Sequence, residues 1–287
     1  MLHRLPPFLL AVLLLLSRPA GAQEDRPLYP DLRALQPVLL FFDTVEVDGA
    51  PRHVLRFRAA IENVGPGPLE LRGDSSSGHT EVYQRVHGDT GQVEEFPVGS
   101  FVFHPAHNHW HFEHFADYEL WTRAGYEAWL ASGRAEGQPG WRGSKTTGQG
   151  ESFCVRDSLQ VAPRSEPRAV PTYDDCGQDI QGISVGWADV YEFTLPEQWI
   201  DLGDTPLPDG EYVLRLVADP LNLIYESPDR SDPERERPEA NEAITSFTAR
   251  NGCAEEEPID CTDADESTLR SFHRLSGGRD ARLTNDR

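Results

Sequence analysis

Five of the ten histidines in this 287-residue chain fall within one short segment, FHPAHNHWHFEH, at residues 103–114. Three of them, His107, His109 and His111, are spaced by two, so on an extended strand their imidazoles leave the same face. Neutral imidazoles bind copper, zinc, nickel or iron and do not suit calcium or magnesium. The spacing therefore predicts a transition-metal site in preference to a solvent-exposed polar strand face.

The same segment must bend if all three imidazoles are to reach one ion. On a straight strand, His107 and His111 would lie roughly 13 Å apart at about 3.3 Å per residue. A metal–imidazole bond is only about 2 Å long. Pro105 indicates an edge or entry position for the strand. We expect Trp110 and Phe112 to point to the opposite face and to hold the strand against the core.

The chain contains one lysine, Lys145, beside 25 arginines. Arginine stays protonated in proteins, whereas a desolvated lysine amine can lose its proton and act as a nucleophile. The isolated lysine therefore indicates a chemical role in preference to a leftover surface cation.

The elements that position these residues follow a period of two. Apolar and polar residues alternate over residues 55–62, and apolar residues recur at every second position over 212–218 after a turn at 208–210, which predicts half-buried strands. Residues 124–132 are the one stretch that favours a short helix. We therefore predict a mostly β chain, built as one β-sandwich-like domain with long loops.

Residues 1–22 have the form of a secretory signal peptide, with a basic start, a short apolar run and a small-residue exit. The apolar run is well below the roughly 20 residues needed to span a bilayer, so we expect export to the periplasm or the extracellular space. Four cysteines in an exported chain favour two disulfides. We favour Cys154–Cys176 and Cys253–Cys261, although the sequence alone permits three pairings.

Removing residues 1–22 leaves 24 basic and 48 acidic residues, a formal charge near −24. Such a surface argues against nucleic acid and against stable membrane association, and it favours soluble or cationic partners.

The histidine segment and the FADYEL stretch at 115–120 resemble the copper motif of the lysyl oxidase family, a histidine-rich run followed by a Y-D-L-like segment. Further similarity covers nearly the whole chain to about residue 247. It includes YPDL at 29–32, RHVLRFRAAIENVGPGPLEL at 52–71, SFCVRD at 152–157, GISVGWADVYEFTLPEQWIDL at 182–202 and DGEYVLRLVADPLNLIYES at 209–227.

The resemblance implies a role for each matched residue. His107, His109 and His111 would be the copper ligands, and His104 would be the family's additional upstream histidine. Lys145 and Tyr191 would form the quinone cofactor lysine tyrosylquinone. Asp189, which lies two residues before Tyr191 and so on the same face of a strand, and Asp117 are candidates for the catalytic base.

The implied activity is oxidative deamination of a primary amine, either a small amine or a lysine side chain of a protein, to an aldehyde with O2, giving H2O2 and ammonia. The implied organisation is a signal peptide at 1–22, a catalytic domain at 23–252 and a poorly ordered acidic or polar tail at 253–287. The alternative is an exported copper-binding or copper-delivery protein without a quinone, which would need neither Lys145 nor Tyr191. A zinc hydrolase is less favoured because the chain lacks a motif such as H-E-x-x-H.

The sequence also departs from the family pattern. Lys145 stands nine residues before Cys154, where the family has four, which indicates a five-residue insertion. Asp117 replaces a family histidine. Family cysteines are replaced by Ala106, Trp187 and Glu197.

A calcium site is a further implication of the resemblance, and a solvated acidic loop is the open alternative. Its candidate oxygen ligands are Asp31, Glu226, Asp229 and Asn241.

Overall fold

A computed structural model describes residues 25–76, 80–145, 152–162, 170–227 and 241–255. The predicted signal peptide and most of the predicted tail lie outside these residues, and the proposed domain division stays a prediction. Within the described residues the chain has sixteen strands and one helix, so the prediction of a mostly β fold is confirmed. No helix in this part of the chain is long and apolar enough to cross a membrane.

The strands, in chain order, are β1 (Pro27–Leu28), β2 (Leu32–Val47), β3 (Ala50–Asn63), β4 (Leu69–Asp74), β5 (Thr80–Gly88), β6 (Val93–His104), β7 (His109–Phe112), β8 (Ala116–Thr122), β9 (Trp141–Ser144), β10 (Leu159–Gln160), β11 (Ile180–Ile183), β12 (Trp187–Tyr191), β13 (Trp199–Gly203), β14 (Gly210–Ala218), β15 (Glu242–Arg250) and β16 (Cys253–Glu255). The helix α1 spans Arg123–Ala131.

These strands form three antiparallel sheets. The first has the order β11-β4-β5-β6-β7, with β1 paired to β5. The second has the order β10-β12-β3-β13, with β2 paired to β3. The third has the order β16-β15-β14-β8-β9. The strands that lead to the histidines, to Tyr191 and to Lys145 are β7, β12 and β9, so each sheet contributes one of them.

The alternation predicted for β3 is confirmed, because Leu55, Phe57, Ala59 and Ile61 are all buried in the main core. Phe112 is fully buried there as predicted, and Trp110 packs against the core while partly exposed.

The prediction that β14 is half-buried is wrong. Besides the predicted apolar positions, Val213, Arg215 and Val217 are buried as well. The physical reason is the position of β14 between β8 and β15, with a second apolar cluster of Trp121, Tyr126 and Trp129 over its other face.

The helix α1 lies within one residue of the predicted 124–132. Its N-cap is Thr122, whose Oγ1 accepts a hydrogen bond from the Gly125 amide at 3.1 Å and so satisfies one free helical donor.

The disulfide Cys154–Cys176 is confirmed, with a Cα–Cα distance of 5.4 Å. Cys253 is also disulfide-bonded, and its predicted partner Cys261 lies outside the described residues.

Candidate metal and cofactor site

The histidine segment forms a β-hairpin at the edge of the first sheet. β6 ends at His104 and β7 begins at His109, and these two residues face each other in the ladder. His107 lies in the turn between the strands, so the expectation that it shares a strand face with His109 and His111 is wrong. The turn forms because Asn108 adopts a left-handed conformation, with φ of 56°, and its amide bonds the His104 carbonyl at 2.8 Å.

This turn, rather than a twisted strand, brings the three predicted ligands together. His111 Nε2 lies 2.9 Å from His109 Nε2 and 3.2 Å from His107 Nδ1. Two nitrogens bound to one ion at about 2 Å, and separated by tetrahedral or square angles, lie about 2.8–3.3 Å apart. The arrangement therefore fits a transition-metal centre.

His104 joins the same group. Its ring centroid lies 4.2 Å from that of His107 and 4.7 Å from that of His111. Ligand atoms of His104, His107 and His111 all lie within 4.8 Å of one another. The structure thus brings a fourth histidine to the three that the sequence assigns as ligands.

Burial keeps these imidazoles neutral. Burial, together with the smaller effect of the neighbouring histidines, lowers the pKa of His111 to about 2 and that of His109 to about 4. Burial also lowers the pKa of His107. Because a metal binds the neutral form, these imidazoles would have no proton to lose to a metal near pH 7. Ser152 Oγ lies 3.2 Å from His111 Nδ1, where it can fix the orientation of the ring.

Lys145 and Tyr191 reach this region from the other two sheets. Lys145 follows β9 and is buried, and its Nζ lies 4.3 Å from the centroid of the Phe153 ring. Tyr191 ends β12 and is buried, with its ring centroid 5.0 Å from that of Phe153. Phe153 in turn pairs through its backbone with Phe112 of β7. The predicted cofactor residues therefore share one neighbour, which is attached to the histidine strand.

Asp189 is the predicted base that contacts Tyr191. The Tyr191 hydroxyl lies 2.5 Å from Asp189 Oδ2 and 3.2 Å from the Cys154 carbonyl oxygen. Asp189 Oδ1 accepts a hydrogen bond from Ser158 Oγ at 3.0 Å. Burial raises the pKa of Asp189 to about 7, and it raises the pKa of Tyr191 well above its usual value, with the Asp189 charge adding to the effect.

Asp117 has a different position. It lies on β8 next to Tyr118, and successive side chains of a strand leave opposite faces. Tyr118 packs in the core against Phe153, at a centroid distance of 5.6 Å, so Asp117 leaves the other face.

Two neighbours of the site were not assigned a role from the sequence. Phe153 lies in the matched SFC segment, but nothing in its type predicts that it contacts both Lys145 and Tyr191. Glu197 stands where the family has a cysteine, which predicts no role for it, and its Oε2 lies 3.2 Å from His104 Nε2.

Of the candidate calcium ligands, Asp229 lies outside the described residues. Glu226 accepts hydrogen bonds from the Leu32 amide and from Asn241 Nδ2, the latter at 2.8 Å. Asp31 is exposed. Burial raises the pKa of Glu226 to about 7. Both Glu226 oxygens thus have partners from the protein, and the calcium site stays a prediction.

Converging histidines beside a buried lysine and a buried tyrosine define, on a β-sheet fold, a protein with a candidate transition-metal site. A sequence profile described as Lysyl oxidase matches residues 79–232, more than half of the chain. The chain belongs to the lysyl oxidase family.

Individual relatives are distant. The chain is 26% identical to lysyl oxidase homolog 2 of Gallus gallus over 207 residues, covering 71% of this chain and 21% of the relative. It is 29% identical to lysyl oxidase homolog 3 of Homo sapiens over 195 residues, covering 64% of this chain and 22% of the relative. The chain thus spans about a fifth of the length of these relatives.

Proposed function

We propose that the chain is an exported copper- and quinone-dependent amine oxidase, which converts primary amines to aldehydes with O2 and releases H2O2 and ammonia. The observation that best supports this proposal is the meeting of three sheets around Phe153. Histidine nitrogens within ligand distance of one another, a buried amine and a buried phenol come from three separate parts of the fold.

His107, His109 and His111 would hold the copper ion, with His104 beside them. Neutral imidazoles suit copper, and the 2.9 Å and 3.2 Å separations fit ligands of one ion. When present, copper and the lysine tyrosylquinone of Lys145 and Tyr191 would supply the redox chemistry that transfers electrons from the amine to O2.

Asp189 is the proton acceptor that the geometry favours. A carboxyl with a pKa of about 7 can both gain and lose a proton near neutral pH, which is the property required of a general base. Its Oδ2 is placed to take the proton of the Tyr191 hydroxyl. We assign it the later removal of the proton next to the substrate nitrogen. Asp117, the other candidate, is less favoured because its side chain leaves the face of β8 opposite to Tyr118 and Phe153.

Lys145 would contribute its amine as the nucleophile that joins the tyrosine ring. Only a neutral amine has the lone pair for this bond, and burial away from water makes an ammonium costly to keep. Arginine could not replace it, because the guanidinium keeps its charge.

The substrate would be a primary amine, including lysine side chains of proteins. The family membership and the names of the relatives support this class, and the net charge of −22 would attract cationic amines at low salt. The same charge disfavours nucleic acid and anionic membranes as partners. The predicted signal peptide supports a periplasmic or extracellular location.

The first test is spectroscopic. Copper-loaded, aerated protein should form a coloured adduct with phenylhydrazine, and tryptic mapping should recover the peptides of Lys145 and Tyr191 as one linked species. Lys145→Arg and Tyr191→Phe should bind copper like the wild type, yet they should give neither the adduct nor amine-dependent peroxide.

Two results would contradict the proposal. Amine oxidation with the two peptides separate would show that the cofactor assignment is wrong. Normal copper binding with no adduct and no oxidation would favour the alternative, an exported copper-binding or copper-delivery protein without a quinone.

A further inference from the structure

Glu197 lies in the turn that connects β12 to β13, shortly after Tyr191. Its backbone is left-handed, with φ of 60°, which is uncommon for a residue other than glycine. Glu197 Oε2 lies 3.2 Å from His104 Nε2 and 3.9 Å from His107 Nε2. The β12–β13 turn therefore places a carboxylate directly beside two histidines of the metal site.

The polar atoms at this contact are buried but poorly satisfied. Glu197 Oε2 and both ring nitrogens of His104 have no hydrogen bond of good geometry among the described residues. The His104 ring is only 3% exposed. Buried polar atoms without partners are rare in folded proteins and call for an explanation, such as an ion. Of these atoms, Glu197 Oε2 and His104 Nε2 face one another at the edge of the histidine group.

His107 connects the two sides of this arrangement. Its Nδ1 lies 3.2 Å from His111 Nε2, inside the proposed ligand set, whereas its Nε2 is directed toward Glu197. An imidazole that binds a metal through one nitrogen commonly donates the N–H of its other nitrogen to a carboxylate, which fixes the ring and increases its basicity.

We propose that Glu197 is a positioning residue of the metal centre: its carboxylate accepts the distal N–H of His104, lies 3.9 Å from the distal nitrogen of His107, and connects the turn after Tyr191 to the histidine hairpin. This inference rests on the proposed copper site. The contact between the β12–β13 turn of the second sheet and the histidine hairpin of the first sheet would thus help to hold the metal ligands in place.

The test compares Glu197→Ala and Glu197→Gln with the wild type. The matched control is Glu192→Gln, because Glu192 lies in the same connection but forms an ion pair with Arg58 at 3.2 Å. Copper affinity is measured by competition with a chromophoric chelator, and the ligand field is followed by electron paramagnetic resonance of Cu²⁺. Thermal midpoints of the metal-free proteins report any loss that is merely structural.

We expect Glu197→Ala to weaken copper binding by about 10- to 100-fold and to change the hyperfine splitting. Glu197→Gln should lose less, because its amide oxygen can still accept an N–H. Glu192→Gln should match the wild type in both measurements.

Wild-type affinity and spectrum in both Glu197 variants would overturn the proposal. So would a lowered metal-free midpoint with unchanged copper affinity, which would indicate a structural role. Equal weakening in the two variants would overturn it in favour of direct ligation by Glu197. If the wild type binds copper but forms no quinone adduct, the proposed function fails while the result on Glu197 stands. A wild type that binds no copper refutes both.

Discussion

Two buried polar regions of this protein have opposite characters. The ionic cluster of Arg215, Glu119, Glu242, Arg134 and Tyr126 lies on the outer side of the third sheet. Its charges neutralise one another: Arg215 bonds Glu119 at 2.7 Å and Glu242 at 2.9 Å, and Arg134 bonds Glu242 at 2.7 Å. The histidine hairpin instead collects neutral imidazoles whose nitrogens face one another.

The pKa shifts express the same difference. Burial acts to raise the pKa of Glu242, but hydrogen bonds from Arg215 and Arg134 outweigh it and hold that pKa below its usual range. In the hairpin, burial and neighbouring imidazoles act in the same direction and lower the pKa of His111 to about 2. Polar groups that satisfy one another stabilise a fold, whereas groups that converge without opposite charges are suited to receive a cation.

The largest expected effect is on metal binding in the hairpin. His111→Ala removes the nitrogen on which His107 and His109 converge, so bound copper and amine-dependent peroxide should both fall to background. Copper content per chain and a peroxide assay measure these quantities. His114→Ala is the control, because His114 belongs to the same segment but is exposed and lies outside the group of converging histidines. Full copper loading of His111→Ala would contradict the proposal that the hairpin binds the metal, whereas the ionic cluster only stabilises the fold.

A smaller effect, on stability alone, is expected from the ionic cluster. Glu242→Ala removes the carboxylate partner of the partly exposed Arg134 and one of the two carboxylate partners of the buried Arg215, which should lower the free energy of unfolding by about 3 kcal/mol. Urea denaturation of the metal-free protein measures the change.

The control for that experiment is Glu255→Gln. Glu255 approaches Arg250 only at 4.0 Å near the surface, and its loss should cost less than about 1 kcal/mol. Copper affinity should be unchanged in both variants. A loss of copper by Glu242→Ala at temperatures where it is folded would show that the two regions are coupled.

The last expected effect is on the pH dependence of stability and concerns Glu226, a partly buried carboxyl that has neutral donors instead of arginines. Its pKa is about 7 in the folded state and ordinarily 4.5, so the folded protein binds the extra proton between these values. The Glu226 contribution to stability should therefore fall as pH rises from about 4.5 to 7, by up to about 1 kcal/mol per pH unit. The lowered pKa values of the histidines make stability rise with pH below about 6.5, which is the opposite direction. The Glu226 contribution is therefore isolated only by the difference in stability between the wild type and a Glu226 variant.

Urea denaturation at several pH values, without calcium or copper, should show that Glu226→Gln loses this component. The stability of the wild type relative to the variant should then decline across the window. A difference that is constant with pH would mean that Glu226 ionises normally.

Local spacing in the sequence determined several features correctly. The period of two over residues 55–62 gave a strand with one face in the core, and 124–132 gave the helix within one residue. Asp189 and Tyr191, two residues apart on β12, do lie on one face and make contact. Each of these features depends on neighbours within one element, where backbone geometry alone fixes the direction of side chains.

The tertiary structure decided the features that depend on contacts between separate strands, turns and sheets. β14 is buried on both faces because α1 and its aromatic neighbours cover the side that the pattern assigned to solvent. His107 reaches the ligand group from a turn, and Phe153 and Glu197 join the site through contacts between sheets. The pKa of about 7 for Asp189 arises from complete burial rather than from residue type. Such contacts join residues far apart in the chain, and they depend on how the sheets pack and exclude water, which no local spacing encodes.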